Sequence, residues 1–271
     1  MYKIAIFNQK GGVGKSSITL NLAATLFKKL GKSVLIVDCD AQGNTSDNLL
    51  AFGYDKEVPT FIDYINGRNT IEECINPIYI NKGRNGRESL IESDLAVITV
   101  GKEIDKAEID DISVLKNMIS KVPEEFDYCL FDCSPQRTTG VYLALCAADY
   151  VLVPIDPGDI DSIKGWSMVL ELIDEMKEDG INSTLRILGA VLNKFTTTRS
   201  IHTYLTGEFK ELMAGSLFRT TIRNSADIEQ AKFFRQPICY YKPSSAVARD
   251  YDSFAIELDE RIVQLNKKIG G

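Results

Sequence analysis

The chain has 271 residues, 44% of them hydrophobic and 25% charged, and a net charge of −7. That balance excludes a molecule-wide attraction to DNA or anionic lipid, so any such contact needs a local basic patch. No apolar run reaches the roughly 18 to 20 residues of a membrane span. A single histidine, His202, and six cysteines with no C-x-x-C pair argue against a His-based triad, a His-rich metal site or a disulfide framework.

In chain order, short apolar runs alternate with helix-length amphipathic segments. The predicted strands are KIAIF (3–7), SVLIVD (33–38), LAVITV (95–100), YCLFD (128–132), YVLVPI (150–155), RILGAVLN (186–193) and LFRTTI (217–222). The predicted helices cover 16–30, 45–52, 60–66, 106–121, 138–147, 160–178, 199–213, 225–234 and 246–268. Continuous apolar runs mark strands buried on both faces. Their alternation with helices predicts the α/β class, a doubly wound, mostly parallel sheet with helices on both faces. Ligands of such sheets sit at the carboxyl ends of the strands. No linker or repeat interrupts the pattern, so residues 1–271 are expected to form one domain with the last helix docked on it. The polar stretch NKGRNGRES (81–89) reads as a surface loop. The apolar run in MYKIAIFNQK is too short for a signal peptide, which makes the expected location cytoplasmic.

The first strand runs straight into NQKGGVGKSS (8–17). The usual phosphate loop is spelled G-x-x-x-x-G-K-[ST]. Here Gly14, Lys15 and Ser16 close the pattern, but Gln9 stands where its first glycine belongs, and a second lysine, Lys10, lies inside. Gly11, Gly12 and Gly14 let backbone N–H groups close around phosphate oxygens. The following helix adds its free N–H groups and positive dipole end. Lys15 is placed to reach the β- and γ-phosphates, and the Ser16 hydroxyl to ligate Mg²⁺. SVLIVDCDAQGN (33–44) ends a strand with Asp38 and Asp40. One suits the hydration shell of a metal and the other the orientation of a water; an acidic strand end followed by a turn is the alternative. FDYCLFDCSP (126–135) ends its strand in Asp132, the shape of a Walker B strand, whose aspartate holds Mg²⁺.

These three stretches together resemble the ParA/MinD family of P-loop ATPases, the deviant Walker A group. KGGVGKS (10–16) matches that family's loop in full. D-C-D-A-Q-G-N (38–44) matches its second strand end except for Ala41, where the family has proline. Asp132-Cys133-Ser134-Pro135 stands for its D-x-P-P. The likeness continues through VLVPIDPGDIDSIKG (151–165), ILGAVLNKF (187–195) and residues 220–251. It implies a site for ATP and Mg²⁺ built from Lys10, Gly11, Gly12, Val13, Gly14, Lys15, Ser16 and Ser17, with Asn193 reading adenine. It implies a catalytic set of Lys10, Lys15 and Asp40, with Asp40 orienting the water. It places Ser16, Asp38 and Asp132 around the metal. It also gives the second lysine a use: two ATP-bound chains face each other, and Lys10 of one reaches the nucleotide of the other. A fixed cation in a dry site stabilises the charge that spreads over the transferring phosphoryl group.

The branches of the family differ in cargo. Residues 194–249 hold nine basic and four acidic side chains. This excess suits DNA phosphates, with Arg199, Arg219, Arg223, Arg235 and Arg249 as candidate contacts; scattered solvated charge is the other reading. On the last helix Phe254, Leu258, Ile262 and Leu265 form one stripe. Its other face carries Asp252, Glu257, Asp259 and Glu260, which anionic lipid would repel. The expectation is therefore a partition ATPase of the ParA/Soj type. It forms a homodimer with ATP, binds DNA nonspecifically over the nucleoid, and hydrolyses slowly under stimulation by a ParB-like centromere-binding partner. It segregates plasmid or chromosome copies. No helix-turn-helix domain is expected before residue 3. A MinD-like positioning ATPase acting on membrane or protein cargo, or a weakly hydrolysing nucleotide switch, remains the alternative.

Overall fold

The computed structural model describes residues 1–50, 58–81, 90–91, 93–122, 125–159, 161–196, 207, 209, 211–213 and 215–269. The chain begins with β1 (Tyr2–Ile6), α1 (Lys15–Leu30), β2 (Val34–Asp38), α2 (Asn44–Leu50), α3 (Phe61–Ile65) and α4 (Ile71–Cys74). Three two-residue strands, β3 (Asn76–Pro77), β4 (Ile80–Asn81) and β5 (Leu90–Ile91), lead to β6 (Leu95–Thr99) and α5 (Val114–Ile119). Then come β7 (Tyr128–Asp132), α6 (Thr139–Ala147), β8 (Tyr150–Ile155), α7 (Asp161–Glu178), β9 (Arg186–Phe195) and β10 (Leu217–Arg223). Three helices close the chain: α8 (Ala226–Phe233), α9 (Ile238–Tyr241) and α10 (Ala246–Ile269).

Eight strands form one sheet in the order β10-β9-β8-β1-β7-β2-β6-β3, while β4 and β5 pair separately. Every neighbouring pair in the large sheet is parallel except β3 with β6. This is the predicted mostly parallel α/β sheet. Successive strand residues point to opposite faces, and the core divides accordingly. Phe7, Val37, Phe131 and Val153 belong to one buried cluster with Leu115, Leu143, Val169 and Leu172 of α5, α6 and α7. Ile6, Ile36, Leu130 and Leu152 belong to the other, with Leu22 and Leu26 of α1 and Tyr251, Phe254 and Leu258 of α10. The stripe on the last helix is thus turned inward: Phe254, Leu258 and Ile262 are fully buried and Leu265 packs at their margin.

Two expectations need correction. The predicted helix 106–121 is confined to Val114–Ile119, after a single 3₁₀ turn at Ile104–Lys106. Asp111 accepts the Ser113 amide at 2.8 Å through its side chain, a local turn that competes with helix. The segment 67–81, which carries no predicted element, holds α4 and the antiparallel edge strand β3. Helix α4 owes its existence to a capping box: the Thr70 hydroxyl accepts the Glu73 amide while the Glu73 carboxylate accepts the Thr70 amide. The loop 81–89, apart from Asn81, and most of the predicted helix 199–213 lie outside the described residues.

The register of the central strands builds the site. Ile6 of β1 and Asp38 of β2 both pair with Asp132 of β7. The two carboxylates therefore stand side by side at the carboxyl edge, next to the loop that leaves β1.

Candidate nucleotide site

The loop 8–14 is shaped by its glycines and tied from both sides. Gly12 and Gly14 have φ of 80° and 92°, the left-handed region that favours glycine. At Gly14 the requirement is twofold, because a Cβ there would lie 2.2 Å from Asn193 Nδ2. That nitrogen donates to the Val13 carbonyl at 2.8 Å, and Lys194 Nζ donates to the Gly12 carbonyl at 2.7 Å. On the other side Asn8, fully buried, donates through Nδ2 to the Pro154 carbonyl at 2.8 Å and accepts the Lys10 amide at 2.9 Å through Oδ1.

Lys15 is buried at the start of α1. Its ammonium donates to the carbonyls of Asn8 and Lys10, each at 3.1 Å, and so spans the hollow of the loop. Burial lowers its pKa, opposed by the charges of Asp132 and Asp40.

Below the loop lies a compact acidic pair. Asp132 accepts the Thr45 hydroxyl at 2.5 Å and the Thr19 hydroxyl at 3.3 Å, and Ser16 adds a further side-chain hydrogen bond. Asp38 accepts the Ser46 amide at 2.7 Å and the Asp40 amide at 3.3 Å. Burial and then the charge of Asp132 push Asp38 up to about 7. Burial also raises Asp132, opposed by its hydroxyl donors and by Lys15. Asp40 sits nearer the surface, where its Oδ1 accepts the Gln42 amide at 2.9 Å. Among the described residues no three His, Cys, Asp or Glu side chains converge as a metal cage. Two adjacent buried carboxylates beside the Ser16 hydroxyl are instead the partial donor set that suits Mg²⁺, which keeps waters and takes phosphate oxygens.

The structure thus brings together Gly12, Val13, Gly14, Lys15, Ser16, Asp38, Asp132 and Asn193. Asn193 is placed against the loop itself, one of its amide hydrogens already committed to Val13. Lys10 does not join Lys15 in the hollow; its ammonium turns out to Asp159, at 3.1 Å. Thr19, Thr45 and Lys194 are contributors that motif reading missed. For Thr45 the signal was present, since a threonine at the start of a helix right after D-C-D-A-Q-G-N is well placed to point back at the strand end.

The basic candidates are less convergent. Arg199 lies outside the described residues. Arg223 makes a two-pronged pair with Asp250 at 2.6 and 2.7 Å, and Arg219 stands 3.5 Å from Glu257. Arg249 donates to the Ser244 carbonyl at 2.7 Å. Arg235 is exposed, with no ion pair among the described residues, and ends α8 at φ 51°. Beside it Phe233 and Phe234 are 81% and 47% exposed.

Comparison with known proteins agrees with this architecture. A family model described as an AAA domain matches residues 1–187. The chain is 28% identical to the sporulation initiation inhibitor protein Soj of Bacillus subtilis, over 94% of this chain and 97% of Soj. It is 26% identical to the chromosome partitioning protein ParA of Myxococcus xanthus, over 95% of this chain and 88% of ParA. Its fold resembles that of McdA from Cyanothece in complex with ATP, with a TM-score of 0.78 at 20% identity, over 97% and 96% of the two chains. The chain belongs to the ParA/MinD family of P-loop ATPases.

Proposed function

We propose that this chain, taken as one P-loop ATPase domain, is a ParA/Soj-like partition ATPase of the cytoplasm and nucleoid. Mg-ATP drives it into a face-to-face homodimer that binds DNA without sequence preference. A ParB-like partner stimulates slow hydrolysis, which returns it to the weakly binding state. In this reading the loop amides and Lys15 would hold the phosphates, and Ser16, Asp38 and Asp132 would hold the metal. Asp40 orients the attacking water, and Asn193 reads adenine by exchanging its Val13 contact. A bound Mg²⁺ supplies positive charge beside the two carboxylates.

The observation that carries the reading is the division between the two lysines. Lys15 fills the hollow by itself, while Lys10 stands at the rim, 37% exposed, where a facing subunit can meet it. A cation at the rim serves a second chain better than its own. The test is sedimentation velocity with Mg-ATP, Mg-ADP or neither, beside Lys10→Ala, with phosphate release followed under single-turnover conditions. Association with ATP alone, and loss of partner-stimulated release in the variant, is the expected result.

A second reading has its own support. Phe233 and Phe234 form an exposed aromatic pair flanked by Lys232 and Arg235, whereas Arg223 is neutralised within the chain. Exposed aromatics beside cations favour a protein or membrane cargo over a bare phosphate backbone. ATP-dependent sedimentation with anionic liposomes would favour this reading over the DNA carrier.

A further inference from the structure

Strand β9 is irregular where it reaches the phosphate loop. Thr221 of β10 pairs with Leu192 and Arg223 with Phe195, so two steps along β10 answer three along β9. The extra residue falls at Asn193–Lys194, a bulge of a kind rare between parallel strands and frequent beside functional sites. Lys194 lies in the left-handed region, at φ 55°, a conformation that is strained for a residue with a Cβ. Successive side chains of a regular strand point to opposite faces. Here they converge instead: Asn193 Nδ2 meets the Val13 carbonyl at 2.8 Å, and Lys194 Nζ meets the Gly12 carbonyl at 2.7 Å.

Two consecutive residues thus hold two consecutive peptide groups, and the consequence is directional. The C=O and N–H of a trans peptide point opposite ways. Drawing the Gly12 and Val13 carbonyls toward β9 turns the amides of Val13 and Gly14 away from it. Neither amide has a hydrogen-bond partner among the described residues. Successive amides turned to one side form a concavity that takes anions. A loop with glycines at 11, 12 and 14 would by itself sample many arrangements. The two side chains remove that freedom before a ligand arrives, so binding does not have to supply the ordering.

We propose that Lys194 is a positioning residue for phosphate binding: it presets the Val13 amide for the β-phosphate of a nucleotide, and the bulge in β9 is what brings its ammonium within reach. The inference rests on the reading of residues 8–15 as the loop that holds phosphates. Its hydrogen bond is charge-assisted, which makes it the stronger kind. In the proposed function Asn193 leaves Val13 for adenine, and Lys194 is then the holder that stays. Its ammonium acts from the side of the peptide opposite the ligand.

The experiment is calorimetric titration of the full chain with Mg-ADP, and with AMP by competition against Mg-ADP, beside thermal melting. It compares the unmodified chain with Lys194→Met, Lys194→Arg and Lys194→Gly. ADP keeps the assay clear of association driven by ATP. Methionine keeps the reach of the side chain and removes its donor. Mg-ADP is expected to bind Lys194→Met about five- to tenfold more weakly, the loss of one hydrogen bond from a charged donor. Lys194→Arg, which keeps a donor, should stay within about twofold. AMP, which has no β-phosphate, should bind all four chains alike, because the ammonium acts through the loop and not by its charge. Lys194→Gly relieves the backbone, so it should melt at the same temperature or higher, yet lose as much Mg-ADP affinity as Lys194→Met. That split separates positioning from folding, and it serves if the methionine variant folds poorly. Unchanged Mg-ADP affinity in the methionine and glycine variants, while the unmodified chain binds, would overturn the proposal. So would an equal loss for AMP and ADP, which would make Lys194 a plain electrostatic attractor. If the unmodified chain binds no Mg-ADP, the reading of the loop as a phosphate site fails, and the inference with it.

Discussion

Thr45, on the helix after β2, donates its hydroxyl to Asp132 at the end of β7, at 2.5 Å. The next residue, Ser46, gives its amide to Asp38 at 2.7 Å. Helix α2 is thereby pinned to both carboxylates beneath the phosphate loop. Removing the Thr45 hydroxyl leaves a fully buried Asp132 short of a donor, which costs about 1–3 kcal/mol. Thr45→Val should lower the melting temperature by several degrees, while Thr45→Ser, which keeps the donor, should stay within about a degree. Equal losses in the two variants would mean that packing, not the hydrogen bond, matters at this position.

Gly11 and Gly14 should respond differently to one added methyl. Gly14 has a left-handed φ and Asn193 against it, whereas Gly11 has neither a positive φ nor any atom within 4 Å of a Cβ. Gly14→Ala is expected to destabilise the fold by about 2 kcal/mol or more, from the backbone penalty and the displaced amide. Gly11→Ala should remain within about 0.5 kcal/mol. Urea denaturation of the two variants gives the comparison.

Glu257 ties the last helix to β10. It accepts the amides of Arg219 and Thr220 at 2.8 and 2.9 Å and the Thr220 hydroxyl at 2.7 Å. Burial raises its pKa, but these donors and Arg261 outweigh burial, and the net value is lowered. A carboxylate lowered by folding contributes stability that is complete above its unfolded pKa of about 4.3, and loses it as pH falls through the folded value. Glu257→Gln should cost about 1–3 kcal/mol at pH 7. Its deficit should shrink below about pH 4. A deficit independent of pH would assign the effect to geometry alone.

Arg235 ends α8 in a left-handed conformation at φ 51°. Glycine adopts that conformation without the roughly 1 kcal/mol that other residues incur. Arg235→Gly should therefore leave the melting temperature unchanged or slightly higher. If this arginine meets DNA phosphate, the same variant should lower the salt slope of binding by about one. A stable variant with unchanged salt slope would remove Arg235 from the contact surface.

Much of this was legible in the sequence because it is local. The loop spelling, the strand ends at Asp38 and Asp132 and the apolar stripe of α10 each follow from a few adjacent residues, and all fall at the expected places. What was illegible depends on partners far apart in the chain. The basic excess holds over residues 194–249, a stretch that stops one residue short of Asp250. That aspartate and Glu257, on the following helix, pair with Arg223 and Arg219. Asn193 lies 180 residues from the carbonyl it holds, and nothing in ILGAVLNKF announces that contact. The shortened α5 is a different failure. Its apolar spacing is helical, but Asp111 and Ser113 offer the backbone a turn that spacing does not weigh.

The central claim is that ATP, through Lys10 and Lys15, switches this chain onto DNA. The most direct measurement is fluorescence anisotropy of a random-sequence duplex at two salt concentrations, with Mg-ATP, Mg-ADP or no nucleotide, for the unmodified chain, Lys10→Ala and Lys15→Ala. The account predicts salt-sensitive binding with ATP alone, lost in both variants. Binding that ignores the nucleotide, or none at all while ATP still drives association, would contradict it.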